Sequence, residues 1–373
     1  MQIAYIDIFQ HIPASSGNNW YTLQLARDLQ DIGVVTLYST QQRDGKRGYV
    51  PTDSSVRQRF LKTSVKWDKI WPRLNQLKPE MLFDSSAAKS IEADLVFCRL
   101  YSYHIARHVA KKNKALLVLV MQNIEWQYLK NVRYSPVVCA PVRLYENYAL
   151  RRAAALITLS EKDYAYATTI TSAEKVFYVP PRPNSAIFNA DSSSHYEYGT
   201  DKLNVLFFGC FDSRHNIKAA EFIQRSLVPT MRQQGLLDSF QINVFGSGTP
   251  PKHLDLENDE EICFFGCVED PGPYIKGADV VIVPVRNPSG VKIRVLEALA
   301  CEKPVIAFPE ATAGLEKDAQ EAVTIANSTE EFVAALKSLA QRDRVSPAEG
   351  TNPPSCSLKV TTAREAALHA LGC

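Results

Sequence analysis

The chain has 373 residues, 46% hydrophobic and 22% charged, which suits a globular protein of two ordinary domains better than one compact core. A formal net charge of +2 lacks the basic excess of a dedicated nucleic-acid binder, so no nucleic-acid partner is expected. The eight cysteines include no C-x-x-C pair, and Cys263 and Cys267 have no second ligand pair after them, so free thiols are expected, not a zinc site or disulfide framework.

The first residues, Met1-Gln2-Ile3-Ala4-Tyr5-Ile6-Asp7, carry an acid and no basic flank, so they read as a buried strand rather than a signal peptide. No apolar run reaches the ~18–20 residues that span a bilayer. A cytoplasmic protein is expected, with any membrane contact peripheral, at the inner face. Ser15-Ser16-Gly17-Asn18-Asn19 then opens a helix carrying Leu23, Leu25, Ala26 and Leu29. Ser16 and Asn18 are good capping residues, so a cap is the plainer reading of this loop.

The basic and aromatic patch Lys62–Lys69 with Trp67, continuing to Trp71 and Arg73, has the chemistry to touch anionic lipid or a substrate. An ordinary surface helix is the favoured reading there. His104 and His108 share the i, i+4 spacing of a helical metal pair, but neighbouring Arg107, Lys111 and Lys112 favour a solvated face, and no metal site is expected.

Short β-branched runs alternate with helical patterns, the signature of parallel α/β sheets. Strands are predicted at residues 2–8, 34–38, 94–98, 115–121, 155–159 and 176–179, then at 203–208, 241–245, 262–265, 279–285, 304–308 and 322–325. The near-continuous apolar run 115–121 fits a strand covered on both faces. It ends in Gln122-Asn123-Ile124-Glu125, and the ends of parallel strands face ligand clefts, so this polar cluster is a site candidate. Ser160, at the next strand end, is another. Tyr145-Glu146 read as helix packing and surface charge.

Pro180-Pro181-Arg182-Pro183-Asn184 and the polar stretch 189–201 mark a domain boundary. The expected division is 1–183, 184–345, and a polar linker with a terminal helix over 346–373. The fold class is α/β: two doubly wound, Rossmann-like domains facing across a cleft.

The most informative stretch runs from Asp279 to Ala300. A buried strand ends at Pro284, a loop carries Pro288-Ser289-Gly290, and a helix is expected to begin there. Glycine allows close backbone approach, and the free N–H groups of a first helical turn favour phosphate. Lys292 adds positive charge. At helical spacing Gly290, Arg294 and Glu297 share one stripe, while Val291, Val295 and Leu299 share another. A guanidinium suits a diphosphate and a carboxylate suits ribose hydroxyls. The plainer alternative is an amphipathic helix with an Arg294–Glu297 surface pair.

This stretch resembles the donor-site signature of the GT-B glycosyltransferases, specifically family 4, the large retaining group. The surrounding blocks agree in order: Phe207-Phe208-Gly209-Cys210 through Asn216, Val244-Phe245-Gly246-Ser247-Gly248, Phe265-Gly266-Cys267-Val268, and Ala313-Gly314-Leu315. The resemblance implies that Glu297 holds the ribose and that Ser289, Gly290 and Val291, with Lys292 and Arg294 as catalytic groups, hold the diphosphate. It implies Val268 beside the base, with Gly209, Gly246 and Gly248 in the donor-side loops. Gly17 and Asn18 would face the cleft from the first domain, as would Gln122, Asn123, Glu125 and Ser160, on the acceptor side.

Two departures stand out. Many members carry two glutamates eight positions apart, whereas the earlier position here is Ser289; the position just after the first glycine, often basic in the family, is Cys210 here, with Arg214 or Lys218 as candidate substitutes. Gln122 stands where related enzymes often carry histidine, and a glutamine cannot act as a base near neutral pH.

The implied activity is sugar transfer from a nucleotide-sugar donor to an acceptor hydroxyl with retention, the acceptor being a carbohydrate, lipid-linked or protein group. No cofactor is expected, the nucleotide-sugar being a co-substrate. The alternatives are a GT-B-like sugar-nucleotide epimerase and a silent nucleotide-sugar-binding subunit of a partner transferase. A nicotinamide oxidoreductase is poorer, because no complete G-x-G-x-x-G follows the first strand.

Overall fold

A computed structural model describes residues 1–7, 17–39, 56–61, 89–131, 134–183, 195–286, 290–341 and 361–372. Two all-parallel sheets lie on either side of the proline-rich segment. The first has the order β3-β2-β1-β4-β5-β6-β7, from β1 (Gln2–Asp7), β2 (Val34–Ser39), β3 (Val56–Phe60), β4 (Leu95–Cys98), β5 (Leu116–Met121), β6 (Ala155–Thr158) and β7 (Val176–Tyr178). The second has the order β10-β9-β8-β11-β12-β13, from β8 (Leu203–Phe208), β9 (Phe240–Phe245), β10 (Ile262–Phe264), β11 (Val280–Val283), β12 (Val305–Ala307) and β13 (Val323–Ile325). Both are doubly wound about a first strand, β1 or β8, and in such sheets ligands bind beyond the strand ends where the winding reverses.

Alternation of side chains sorts each strand onto two covered faces. Ala4 and Ile6 of β1 join one apolar cluster, Ile3 and Tyr5 another. The helices covering the first sheet are α1 (Gly17–Asp28), α2 (Tyr103–Asn113), α3 (Glu125–Asn131), α4 (Pro136–Arg152) and α5 (Glu161–Ile170). In the second half come α6 (Arg214–Phe222), a π-helical turn over Ile223–Leu227, α7 (Val228–Gln233), α8 (Gly272–Gly277), α9 (Ile293–Ala300), α10 (Lys317–Glu321) and α11 (Thr329–Gln341).

Three sequence expectations change. β3 was not predicted: Val-Arg-Gln-Arg-Phe is half exposed at a sheet edge, so no apolar run announces it. The expected strand 279–285 shortens to Val280–Val283, since Pro284 has no N–H to give a ladder. The helix expected from Gly290 begins at Ile293, because Gly290 has φ +68° and Lys292 caps the helix from a non-helical conformation. Gly290 and Val291 therefore belong to the loop, not to a helical stripe.

The terminal helix α12 (Ala363–Leu371) is built into the first domain. Thr362 and Glu365 form a capping box, and Ala363, Ala366 and Ala367 are fully buried in the cluster that contains Ile3, Leu159 and Val179. Thr361 anchors it through its N–H and hydroxyl to the Tyr178 carbonyl, at 2.8 and 2.9 Å.

Candidate functional site

At the reversal point of the second sheet, the backbone after β8 lies against a buried guanidinium. A Cβ at Gly209 would come within 2.8 Å of Arg294 Nη2 and 2.9 Å of Asn216 Nδ2, so any side chain there would displace both groups. Gly246 is as constrained: a Cβ there would overlap the Gly209 carbonyl oxygen, and the Gly209 N–H already donates to the Phe245 carbonyl at 3.1 Å. Gly248, at φ +83°, lies against Asp212. Val268 is half-buried against the same core, just after Gly266, whose carbonyl accepts from the Gly246 N–H.

Arg294 Nη2 donates to Asn216 Oδ1 at 2.6 Å, and Asn216 Nδ2 donates to the Cys210 carbonyl at 2.8 Å. That chain fixes the guanidinium over the Phe207 ring, 5.5 Å from its centroid, and leaves Nη1 buried without a hydrogen-bond partner. Burial holds the Arg294 pKa down to about 10. Lys292, 6% exposed, donates from its ammonium to the Gly290 carbonyl at 2.8 Å; burial, reinforced by Arg294, brings its pKa down to about 7. Glu297 is buried and burial raises its carboxyl to about 7, with Arg294 opposing the rise. The surface-pair alternative is excluded, since Glu297 is buried and Arg294 spends its hydrogen bond on Asn216.

The first domain supplies the opposite wall. A Cβ at Gly290 would meet Asn123 Oδ1 at 2.6 Å, and one at Gly314 would meet the Ser160 Cβ at 3.3 Å. Val291 packs on the cores of both domains, and Ile293 is buried in that of the first. Asn123, Ser160, Asp163, Gly290 and Gly314 line one cavity at this junction. Gln122, Asn123, Glu125, Arg99 and Glu146 line a second beneath it. Gln122 is 4% exposed, and neither polar atom of its amide has a hydrogen-bond partner. Ser160 caps α5: its hydroxyl accepts from the Asp163 N–H at 3.1 Å and donates to Asp163 Oδ2 at 2.7 Å.

Several polar residues here were not singled out from the sequence. Glu146, read as surface charge, is 2% exposed; its Oε1 accepts from the Glu125 N–H at 2.8 Å, and burial raises its carboxyl to about 8. Burial also raises Glu125, whose Oε2 accepts from the Tyr101 hydroxyl at 2.7 Å, and lifts Asp163 to about 6. Arg99 pairs with Asp7 at 3.2 Å, where the winding of the first sheet reverses. His215, half-buried beside Arg294 and Lys292, is held neutral, desolvation lowering its pKa to about 3, and shares a hydrogen bond of 2.9 Å with Ser213. Asn216 and His215 lie inside a sequence block already quoted, and a polar pair in the first turn after a glycine loop was the signal available.

Arg214, offered as a substitute for a basic residue at Cys210, is exposed at the start of α6, near Tyr128 of α3, whose hydroxyl pKa burial raises and Arg214 only opposes. Lys218 is exposed further along α6. The cation against Gly209 is Arg294. Gly17 and Asn18 open α1; the Asn18 side chain, the preceding loop, Ser289 and the patch 62–69 lie outside what the structure describes. Among the described residues, no group of three or more His, Cys, Asp or Glu side chains is placed to hold a metal, and no helix is long and apolar enough to cross a membrane.

Residues 202–342 match the family described as Glycosyl transferases group 1. No curated protein matches the chain by sequence. Among solved structures, the sucrose-phosphate synthase of Thermosynechococcus elongatus superposes with a TM-score of 0.65 at 17% identity, covering 92% of this chain and 90% of that one. Anabaena HepE in complex with UDP and glucose gives 0.63 at 14% identity, with the same coverage. WaaG, a glycosyltransferase involved in lipopolysaccharide biosynthesis, gives 0.58 at 15% identity, covering 91% and 90%. The chain has the two-domain GT-B fold of these glycosyltransferases, and its second domain carries the group 1 match.

Proposed function

We propose that the protein is a retaining glycosyltransferase that moves a sugar from a nucleotide-sugar donor to an acceptor hydroxyl in the interdomain cleft. One observation carries this reading: the buried Arg294 guanidinium, locked by Asn216 and pressed on Gly209, keeps Nη1 unpartnered at the reversal point of the second sheet. A fixed, desolvated cation aimed at a backbone loop is suited to a departing diphosphate. Lys292 would add a second donor, and Glu297, one turn into α9, would take the ribose hydroxyls.

The chemical task is to stabilise the leaving diphosphate while the anomeric carbon gains positive character. With Gln122 at the cleft, no side-chain base is assigned; attack from the face of departure, with the leaving phosphate taking the acceptor proton, needs none. The donor is a co-substrate and no cofactor is invoked. The HepE complex with UDP and glucose makes UDP-sugars the first donors to try. The setting is surface polysaccharide, glycolipid or glycoprotein assembly at the cytoplasmic side of a membrane.

A thermal-shift screen with UDP-, GDP- and dTDP-sugars tests the reading: a ligand at 100 times its Kd should add about 2.7 kcal/mol of stability. Glu297→Ala should weaken that ligand at least tenfold, and the intact protein should release nucleoside diphosphate faster with acceptor. Unchanged affinity in Glu297→Ala would refute the site. The glutamine at Gln122 favours one second reading, a silent subunit supporting a partner transferase, identified by donor binding with no release across a broad acceptor panel.

A further inference from the structure

On the face of the first domain away from α1 and α12, α2 and α4 lie side by side, joined by edge-to-face contacts of the Tyr103 ring with Tyr145 and Tyr148. The inner side of α4 buries Cys139, Glu146, Ala149 and Leu150. Its outer side does the reverse of what a solvated helix does. Val137 is 81% exposed and Leu144 72%, with exposed Pro141 between them and Tyr148, itself 36% exposed, one turn beyond. At intervals of four, three and four residues these form one apolar stripe along a helix of about 25 Å.

The charge around that stripe has one sign. Arg107, Lys111, Lys112, Arg143, Arg151 and Arg152 are all exposed on the two helices, and their single acid, Glu146, is buried. The whole chain is nearly neutral at +2, so this face concentrates a charge balanced elsewhere. Tyr148 lies between Arg107 and Arg152, whose guanidinium carbons are 5.8 and 5.3 Å from its ring centroid. An apolar ridge flanked by cations, with an amphipathic ring at the border, matches the boundary between lipid headgroups and acyl chains.

We propose that the outer face of α4, with the basic edge of α2, docks the protein on an anionic bilayer surface. Two copies meeting through this face would bring like charges together, so a homodimer fits it poorly. Favourable cations at the C-terminal ends of α2 and α4 account for Lys111, Lys112, Arg151 and Arg152 but not for Arg107 and Arg143, nor for the exposed valine and leucine. The inference does not depend on sugar transfer, since it concerns a surface and is measured by binding alone.

The test is co-sedimentation of the full chain with vesicles of phosphatidylcholine alone or with 30 mol% phosphatidylglycerol. Wild-type protein should partition onto the anionic vesicles at least tenfold more strongly, and 0.5 M salt should reverse it. Each basic residue at an anionic surface is worth about fivefold, so Arg151→Glu with Arg152→Glu should lose more than about 25-fold. Val137→Ser with Leu144→Ser should also reduce binding, with circular dichroism and the nucleotide-induced thermal shift unchanged. Equal binding to both vesicles, no binding, or variants that bind like wild type would overturn the proposal. So would a dimer in light scattering that the Val137/Leu144 variant dissolves.

Discussion

Lys292 holds its ammonium where water scarcely reaches, and the Arg294 guanidinium repels it. Its pKa falls from an ordinary 10.5 to about 7, so in the free protein near pH 7 its charge is half lost. A bound diphosphate restores the reason to be charged. Donor binding should therefore take up a proton around and above pH 7, and affinity should fall as pH rises through that value, by up to tenfold per unit. Calorimetric titration with UDP in Hepes and in Tris, which differ in ionisation enthalpy, reads the uptake directly; identical heats would contradict it. For the ligand-free protein the unfolded lysine binds more protons than the folded one between 7 and 10.5, so this residue makes stability rise with pH over that window.

Gly246 gives a prediction of a different kind. With no room between its Cα and the Gly209 carbonyl, Gly246→Ala should cost about 1–3 kcal/mol by overpacking and weaken nucleotide binding by displacing the Gly209 loop. A melting curve with and without nucleotide checks both. Residue spacing made Arg294 and Glu297 legible as neighbours on one face. It could not show that the face is buried, because i, i+3 spacing is shared by solvated pairs and by ligand sites.

Elements were legible where burial was complete. β5 and β11, buried on both faces, announce themselves as continuous apolar runs, whereas β3 has one neighbour and two arginines and gives no such signal. Helices hide more, since one face carries the pattern and the other does not reveal what it touches. Glu146 is the example: in sequence it follows Tyr145 and reads as charge on a helix, yet α4 turns it inward onto the first N–H of α3. Its carboxyl titrates near 8 in the folded chain and from 4.5 in the unfolded one. Between those values the folded state holds the extra proton, so stability falls as pH rises from 4.5 towards 8. Glu146→Gln, which keeps the shape and removes the proton, should flatten that slope; melting temperatures across pH 5 to 8, compared with wild type, decide it.

The whole molecule is a pair of doubly wound sheets whose chain crosses from one to the other and returns. The first crossing was legible, because prolines and a polar run punctuate it; the return was not, since nothing in an alanine-rich helix says which sheet it covers. α12 closes the first domain after the second is complete: its three buried alanines fill the face between α1 and β5–β6, and Thr361 extends the chain beside β7. Three buried methyl groups at ~0.8 kcal/mol each and a capping box at ~1 kcal/mol put the loss on removing residues 361–373 at about 3 kcal/mol or more. For a domain of this size that corresponds to a fall of roughly 6–12 °C in Tm. The loss should be confined to the first domain, because α12 makes its apolar contacts there. Scanning calorimetry of the truncated chain should resolve an early transition that nucleotide does not shift and a later one that it does. A single transition at the wild-type temperature would mean that α12 contributes nothing to the first domain. A uniform fall of both would mean that the two sheets unfold as one unit, held together by Val291 and Ile293 across the cleft.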